Sequence, residues 1–316
     1  MLHFLPAPIL GAIAGALLIL HTLFWAIPLL IVSVAKLIVP WTPWRRLCAH
    51  WVIWLIEAGW VNTNSILMRL FLRVECDVTG LADTSLNKCY LIVCNHQTWL
   101  DIPVLLRVFK GQIPFPRFFI KQELIWMPVV GLAAWALDMP FMKRYSSEFL
   151  RQHPELRGTD LETTRQALEK FEHTPVSILN FLEGTRNTPA KHAKQKSPYK
   201  HLLRPRAGGI AFVLGTMGER FDALLDVTII YPAGRASLWK FLSGRVPKII
   251  VRVDKMDIPP EFLSGDYLND PVFQEQFQAW TRDLWAKKDA RIEAILQSDT
   301  PANSRPEPVN GPQPFD

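Results

Sequence analysis

Of the eight histidines in the chain, His96 alone has an aspartate, Asp101, five residues later. A histidine held in one tautomer by a carboxylate can take a proton from a hydroxyl near neutral pH, so the pair can activate an alcohol for attack on a carbonyl. Spacing by itself leaves a plainer alternative open, in which His96 ends a strand and Asp101 caps a helix. A second cluster, Glu183-Gly184-Thr185-Arg186, combines a carboxylate, a glycine, a hydroxyl and a guanidinium. A carboxylate in a site that recruits anions needs a cation, so Glu183 is expected to pair with Arg186 or another cation and orient it. Gly184 lets backbone approach a substrate closely. Cys94, two residues before His96, could carry a covalent acyl group. On a straight strand it points away from His96.

These residues need elements that bring them together. Five residues apart on one continuous helix, His96 and Asp101 would point ~140° away from each other, so His96 must precede the helix. The compact apolar run Tyr90 to Cys94 reads as a strand, and Trp99 to Phe109 has helical periodicity. Thr98-x-x-Asp101 has capping-box spacing, which puts His96 in a strand-to-helix turn. Further strands are expected at Arg73 to Val78, Val176 to Phe181, Leu225 to Tyr231 and Lys248 to Val253, and the Glu183 cluster directly follows the second of these. Helices are expected at Gln122 to Leu137, interrupted by Pro128, at Asp160 to Glu172 and at Gly208 to Met217. Phe273, Phe277, Trp280 and Leu284 repeat at helical spacing and suit a helix packed on the catalytic domain. The alternation argues for an α/β fold, a mixed sheet flanked by helices, preceded by a membrane helical region. The division is 1–72 membrane-anchoring region, 73–297 catalytic domain and 298–316 disordered tail.

Composition agrees with a membrane setting. The chain has 316 residues, 49% hydrophobic, 12 tryptophans and a net charge of +6. From Met1 to Ala35 there is no Lys, Arg, Asp or Glu, and Pro8 to Ile27 approaches the ~20 apolar residues that cross a bilayer. The cations follow this run, at Lys36, Arg45 and Arg46, which argues against a cleaved signal and places the next domain on the cytoplasmic side. The stretch Leu47 to Leu72 mixes Glu57, Arg69 and Arg73 with Trp51, Trp54 and Trp60, an interfacial pattern. One span followed by a membrane-lying helix is the preferred reading; a wholly monotopic hairpin is the alternative. The four cysteines have no Cys-x-x-Cys spacing, so neither disulfides nor a structural zinc is expected.

Asn95-His96-Gln97-Thr98-Trp99-Leu100-Asp101 resembles the first block of the acylglycerol-phosphate (lysophosphatidate) acyltransferase family, and Phe181 to Arg186 resembles its third. Phe141-Met142-Lys143-Arg144 resembles the second block and Val227 to Pro232 the fourth, and the N-terminal segment suggests a bacterial branch. Thr98 stands where Ser is more common and keeps the hydroxyl; Asp138 stands where the second block commonly has Gly. The resemblance implies a glycerolipid acyltransferase-like fold on the cytoplasmic face of the inner membrane. It implies direct transfer of a fatty acyl chain from acyl-CoA or acyl carrier protein to the hydroxyl of a lysophospholipid, most simply lysophosphatidate, with no cofactor and no metal. His96 is then the general base and Asp101 its orienter. Arg186, Arg144 and Lys121 bind the substrate phosphate, with Glu183, Gly184 and Thr185 beside them; the planar fork of Arg suits phosphate oxygens. Lys191, Lys194, Lys196, Lys200 and Arg204 form a run without acids that can attract headgroups, coenzyme A phosphates or an acidic carrier protein, or can simply be a solvated loop. No nucleic-acid motif accompanies them. The rivals are the same transfer to another lysophospholipid or a lyso-aminolipid, hydrolysis of acyl thioesters, and a non-catalytic membrane scaffold.

Overall fold

The computed structural model describes residues 5–127, 130–142, 165, 171, 174–267 and 269–299. In chain order it contains helix α1 (Ala7–Ile38), α2 (Thr42–Trp54), a π-helical stretch (Leu55–Val61), α3 (Asn62–Phe71), strands β1 (Glu75–Thr79) and β2 (Tyr90–Cys94), and α4 (Asp101–Phe109). There follow β3 (Pro116–Phe118), β4 (Ile120–Lys121), a 3-10 turn (Gln122–Trp126), α5 (Val130–Ala136), β5 (Phe141–Met142) and β6 (Ser177–Phe181). The remainder is α6 (Pro189–Gln195), α7 (Gly208–Met217), β7 (Ala223–Ile230), α8 (Leu238–Leu242), β8 (Lys248–Met256) and α9 (Pro271–Asp299). The expected helix at Asp160 to Glu172 and the tail from residue 300 lie outside the described residues. Among the described residues, β3 is a strand that its three residues and leading Pro116 did not announce, and α9 runs on to Asp299, well past the periodic residues Phe273 to Leu284.

The main sheet has the order β1-β8-β7-β2-β6-β3, and β4 and β5 form a separate parallel pair. Every pairing in the main sheet is parallel except β7 with β8. A strand in the middle of such a sheet is covered on both faces and therefore reads as a continuous apolar run. β2 and β7 are buried along their whole length. Leu91 and Val93 of β2 point into a core closed by α7 and α9, through Ile210, Leu214, Phe277 and Trp285. Tyr90, Ile92 and Cys94 point into the opposite core, closed by α4, α8 and the start of α1.

Helix α1, 32 residues and ~48 Å long at 1.5 Å per residue, lies against the rest of the molecule from end to end. At its start Leu10 and Ala14 join the core with Phe241 and Leu242. In its middle the Trp60 indole donates to Thr22 Oγ1 at 3.2 Å and the Trp25 indole to Thr63 Oγ1 at 3.1 Å. At its end Lys36 is 2% exposed and donates to Ala136 O and Asp138 Oδ2. Lys36 is therefore an internal cation, where the sequence suggested a flanking one; Arg45 and Arg46 remain exposed. The outward face carries Ile9, Leu20, Phe24, Ile27, Ile31 and Ile38, all exposed, on a helix of mean hydropathy 2.3.

Candidate active site

β2, β6 and β7 are parallel neighbours, with Cys94 in register with Phe181 on one side and Val227 on the other. Their carboxyl ends therefore open on the same edge of the sheet, the position from which loops of an open α/β sheet form a crevice. The loop after β2 supplies Asn95, His96 and Gln97; that after β6 supplies Glu183 to Asn187; β7 leads into Tyr231.

His96 Nδ1 lies 2.8 Å from Asp101 Oδ2. With Nδ1–H donating to the carboxylate, Nε2 is left with a free lone pair and can act as the base. Asp101 begins α4 and is fully buried, and its Oδ2 also accepts the backbone N–H groups of Gln97 at 2.6 Å and Thr98 at 2.9 Å. One carboxylate thus fixes the turn that leads into α4 and orients the histidine, while the N-cap position itself, Leu100, makes no side-chain cap. Its other oxygen, Oδ1, accepts the Tyr231 hydroxyl at 2.8 Å. The His96 ring stacks on Phe181 with centroids 4.0 Å apart, which fixes its plane. Asn95 is fully buried and bridges to β7: its amide donates to Ile229 O and accepts from Ile229 N, both at 2.9 Å. Gln97 donates to the same carbonyl at 2.9 Å.

The β6 loop is tied to the same turn, because Asn187 N–H donates to His96 O at 2.7 Å. Arg186 lies with its guanidinium 4.4 Å from the centre of the Trp99 ring, three residues beyond His96. Gly184 has φ +64, a conformation that costs other L residues, and a Cβ there would come within 2.9 Å of the Arg206 side chain. Thr185 Oγ1 accepts from Lys191 Nζ. The expected ion pair of Glu183 is not formed: among the described residues neither carboxylate oxygen completes a hydrogen bond, and the side chain is fully buried. Arg186 sits instead over Trp99, and the Glu183 side chain is turned into the interior. Burial pushes the Glu183 carboxyl up to about 9, against nearby N–H groups of His96 and Leu203 that favour the charged form. Cys94 is fully buried, and burial pushes its thiol well above the usual range, so it offers no accessible thiolate.

Lys121 is in β4, whose register places Ile120 beside Phe141 and Lys121 beside Met142. Arg144 lies outside the described residues. The basic run is partly engaged: Lys200 pairs with Glu293 at 2.8 Å, and Arg204 donates to the carbonyls of Gln195 and Lys196. Tyr231 and Asn187 join this cluster without having been singled out in the sequence, whereas Asn95 and Gln97 lay within the first block and Lys191 within the basic run. The visible signal for Tyr231 was its place at the end of an apolar strand, immediately before Pro232.

Residues 75–231 match the family model described as Acyltransferase, the same interval that contains every element of this crevice. The chain belongs to that family. It is an acyltransferase. It is 22% identical over 319 residues to mouse 1-acyl-sn-glycerol-3-phosphate acyltransferase epsilon, covering 90% of this chain and 82% of the relative. It is 26% identical to zebrafish lysocardiolipin acyltransferase 1, covering 92% of this chain and 70% of the relative. Thermotoga maritima 1-acyl-sn-glycerophosphate acyltransferase, PlsC, superposes with a TM-score of 0.47 at 18% identity over 87% of this chain and 98% of that one. These similarities do not assign the acyltransferase to a bacterial branch.

Proposed function

We propose that this acyltransferase moves a fatty acyl chain from acyl-CoA or acyl carrier protein to the free hydroxyl of lysophosphatidate, producing phosphatidate at the cytoplasmic face of the inner membrane. The observation that carries the reading is the His96–Asp101 pair at the carboxyl edge of the sheet, with Arg186 three residues after Glu183 on the adjoining loop. His96 Nε2 takes the proton of the acceptor hydroxyl as its oxygen attacks the thioester carbonyl. The carbon–sulfur bond then breaks, and the same proton passes to the leaving thiolate, so no group stays on the protein. Asp101 holds the tautomer and balances the imidazolium. Arg186, Arg144 and Lys121 hold the phosphate. Glu183, Gly184 and Thr185 shape the loop around it, and no cofactor or metal takes part.

Two features support the lipid setting. A cavity of about 190 Å³ opens between α3 and α4, lined by Met68, Leu72, Leu100 and Val104 with Arg69 and Arg107 also on its wall, and gives an acyl chain an apolar surface one turn from Asp101. The apolar outer face of α1 lies parallel to the body of the molecule, which favours burial in one leaflet over a span. The similarity to a lysocardiolipin acyltransferase supports a second reading, the same chemistry on a lysophospholipid with a larger headgroup. Purified protein in anionic vesicles, given labelled acyl-CoA or acyl carrier protein and a panel of lysolipids, decides between them by mass spectrometry. Arg186→Ala is expected to weaken use of lysophosphatidate at least tenfold more than use of a neutral lysolipid, as loss of a charge-assisted contact implies. Equal loss on both acceptors removes the phosphate role.

A further inference from the structure

The C-terminus of α5 holds a residue that its backbone does not favour. Asp138 has φ +55, the left-handed region suited to glycine. Its N–H donates to Trp135 O at 3.0 Å and the next N–H, of Met139, to Ala134 O at 2.9 Å. These are the two bonds of a Schellman motif, in which the left-handed position is usually Gly. The aspartate side chain has a defined partner: Lys36 Nζ, at 2.8 Å, on the far end of α1. The same ammonium donates to Ala136 O at 2.7 Å, one of the carbonyls a helix end leaves unpaired. A cation there also meets the negative end of the α5 dipole. Arg117 Nε takes the next carbonyl, Leu137 O, at 3.0 Å.

Beyond this cap the chain goes directly into β5. Pro140 O accepts the Ile120 N–H at 2.9 Å, and Phe141 and Met142 run parallel to Ile120 and Lys121. The position of the β4–β5 pair is therefore set by where the end of α5 is anchored, and the anchor is a residue of the apolar helix. We infer that Lys36 and Asp138 are positioning residues that couple the seating of α1 to the β4–β5 pair, and through it to the acceptor-phosphate position at Lys121. The inference deepens the proposed function, since it rests on lysophosphatidate being the acceptor. It gives Asp138 a reason that turn formation does not: glycine would make the turn with less strain but would remove the carboxylate that Lys36 Nζ binds.

The test compares Lys36→Met, Asp138→Gly, Asp138→Asn and the double variant Lys36→Met/Asp138→Gly in vesicles. Asp138→Gly keeps the backbone conformation and guards against a simple folding defect. Each single change is expected to raise KM for lysophosphatidate about tenfold, with kcat and KM for the acyl donor within about twofold, and the double variant is expected to match the singles because the two groups are directly coupled. Hydrogen exchange at the Ile120 amide should speed up in the same variants. An unchanged acceptor KM, or equal loss in kcat and in both KM values, overturns the inference, as does unaltered exchange at Ile120. If the native protein does not acylate lysophosphatidate at all, the functional reading fails, and the exchange at Ile120 still decides the coupling.

Discussion

Asp101 accepts four hydrogen bonds within one loop turn and one strand end: from His96, Gln97, Thr98 and Tyr231. A buried carboxylate so fully satisfied stays in place and keeps the histidine tautomer fixed. Removal of one donor therefore loosens the base without deleting it. Tyr231→Phe is expected to lower kcat roughly tenfold with KM for acceptor changed little, the loss of one bond to a charged group; steady-state kinetics checks it. Glu183 makes the opposite case. Its folded carboxyl, at about 9, lies above the 4.5 of the unfolded chain, so between those values the folded state holds a proton that the unfolded state has released. Stability is therefore fully present below about pH 4.5 and falls as pH rises toward 9. Glu183→Gln keeps the shape and removes the proton, so its melting temperature should fall less than that of the native protein between pH 5 and 9. Parallel slopes would show that Glu183 is ionised in the fold.

At the scale of elements, α4 does two jobs because of where it starts. Its first residue is Asp101, and the following turn presents Pro103 and Val104 to the cavity shared with α3. Filling that space with a larger side chain shortens the room for an acyl chain. Val104→Trp is expected to cut transfer of 16-carbon and 18-carbon chains by at least tenfold relative to 8-carbon chains, since each methylene denied burial forfeits about 0.8 kcal/mol. Competition assays with mixed acyl donors measure the ratio, and an unchanged ratio moves the chain elsewhere. Most of this element-level picture was legible in the sequence. The alternation of apolar strands and periodic helices foretold β2, α4, β6 and α7 to within a few residues, and the start of α9. The helix after Gln122 came out as a 3-10 turn and a separate α5, in keeping with the proline between them. β3, β4 and β5 were not legible, because two or three residues carry no period of their own and become strands only when a neighbour supplies the hydrogen bonds.

At the scale of the molecule, the decisive feature is that both ends of α1 touch one body: Leu10 packs with Leu242 near the start and Lys36 binds Ala136 and Asp138 at the end. A spanning helix separates its ends by the ~30 Å hydrocarbon core and leaves them on opposite sides. A helix that lies in one leaflet keeps both on the same side. Pro6→Cys and Thr42→Cys, each exposed, are expected to react with an impermeant maleimide from the same side of sealed vesicles. Reaction from opposite sides would establish a span. Hydropathy could not separate these arrangements, because both need the same count of apolar residues and differ only in what the helix packs against.

By itself the sequence marked the residues for the chemistry: a histidine with an aspartate five residues on, a Glu-Gly-Thr-Arg cluster after a second strand, and an apolar N-terminal segment. Such signals are local, and local periodicity, capping and residue type suffice to write them. Only the tertiary structure decided which groups meet. Tyr231 reaches Asp101 across 130 residues of chain because β7 lies beside β2. Glu183 turns inward without a hydrogen-bond partner among the described residues, and Lys36 faces α5 and not water. Each of these depends on strand order, parallel register and the seating of one helix, and those are set by burying two faces of a sheet at once, which no short stretch of sequence specifies.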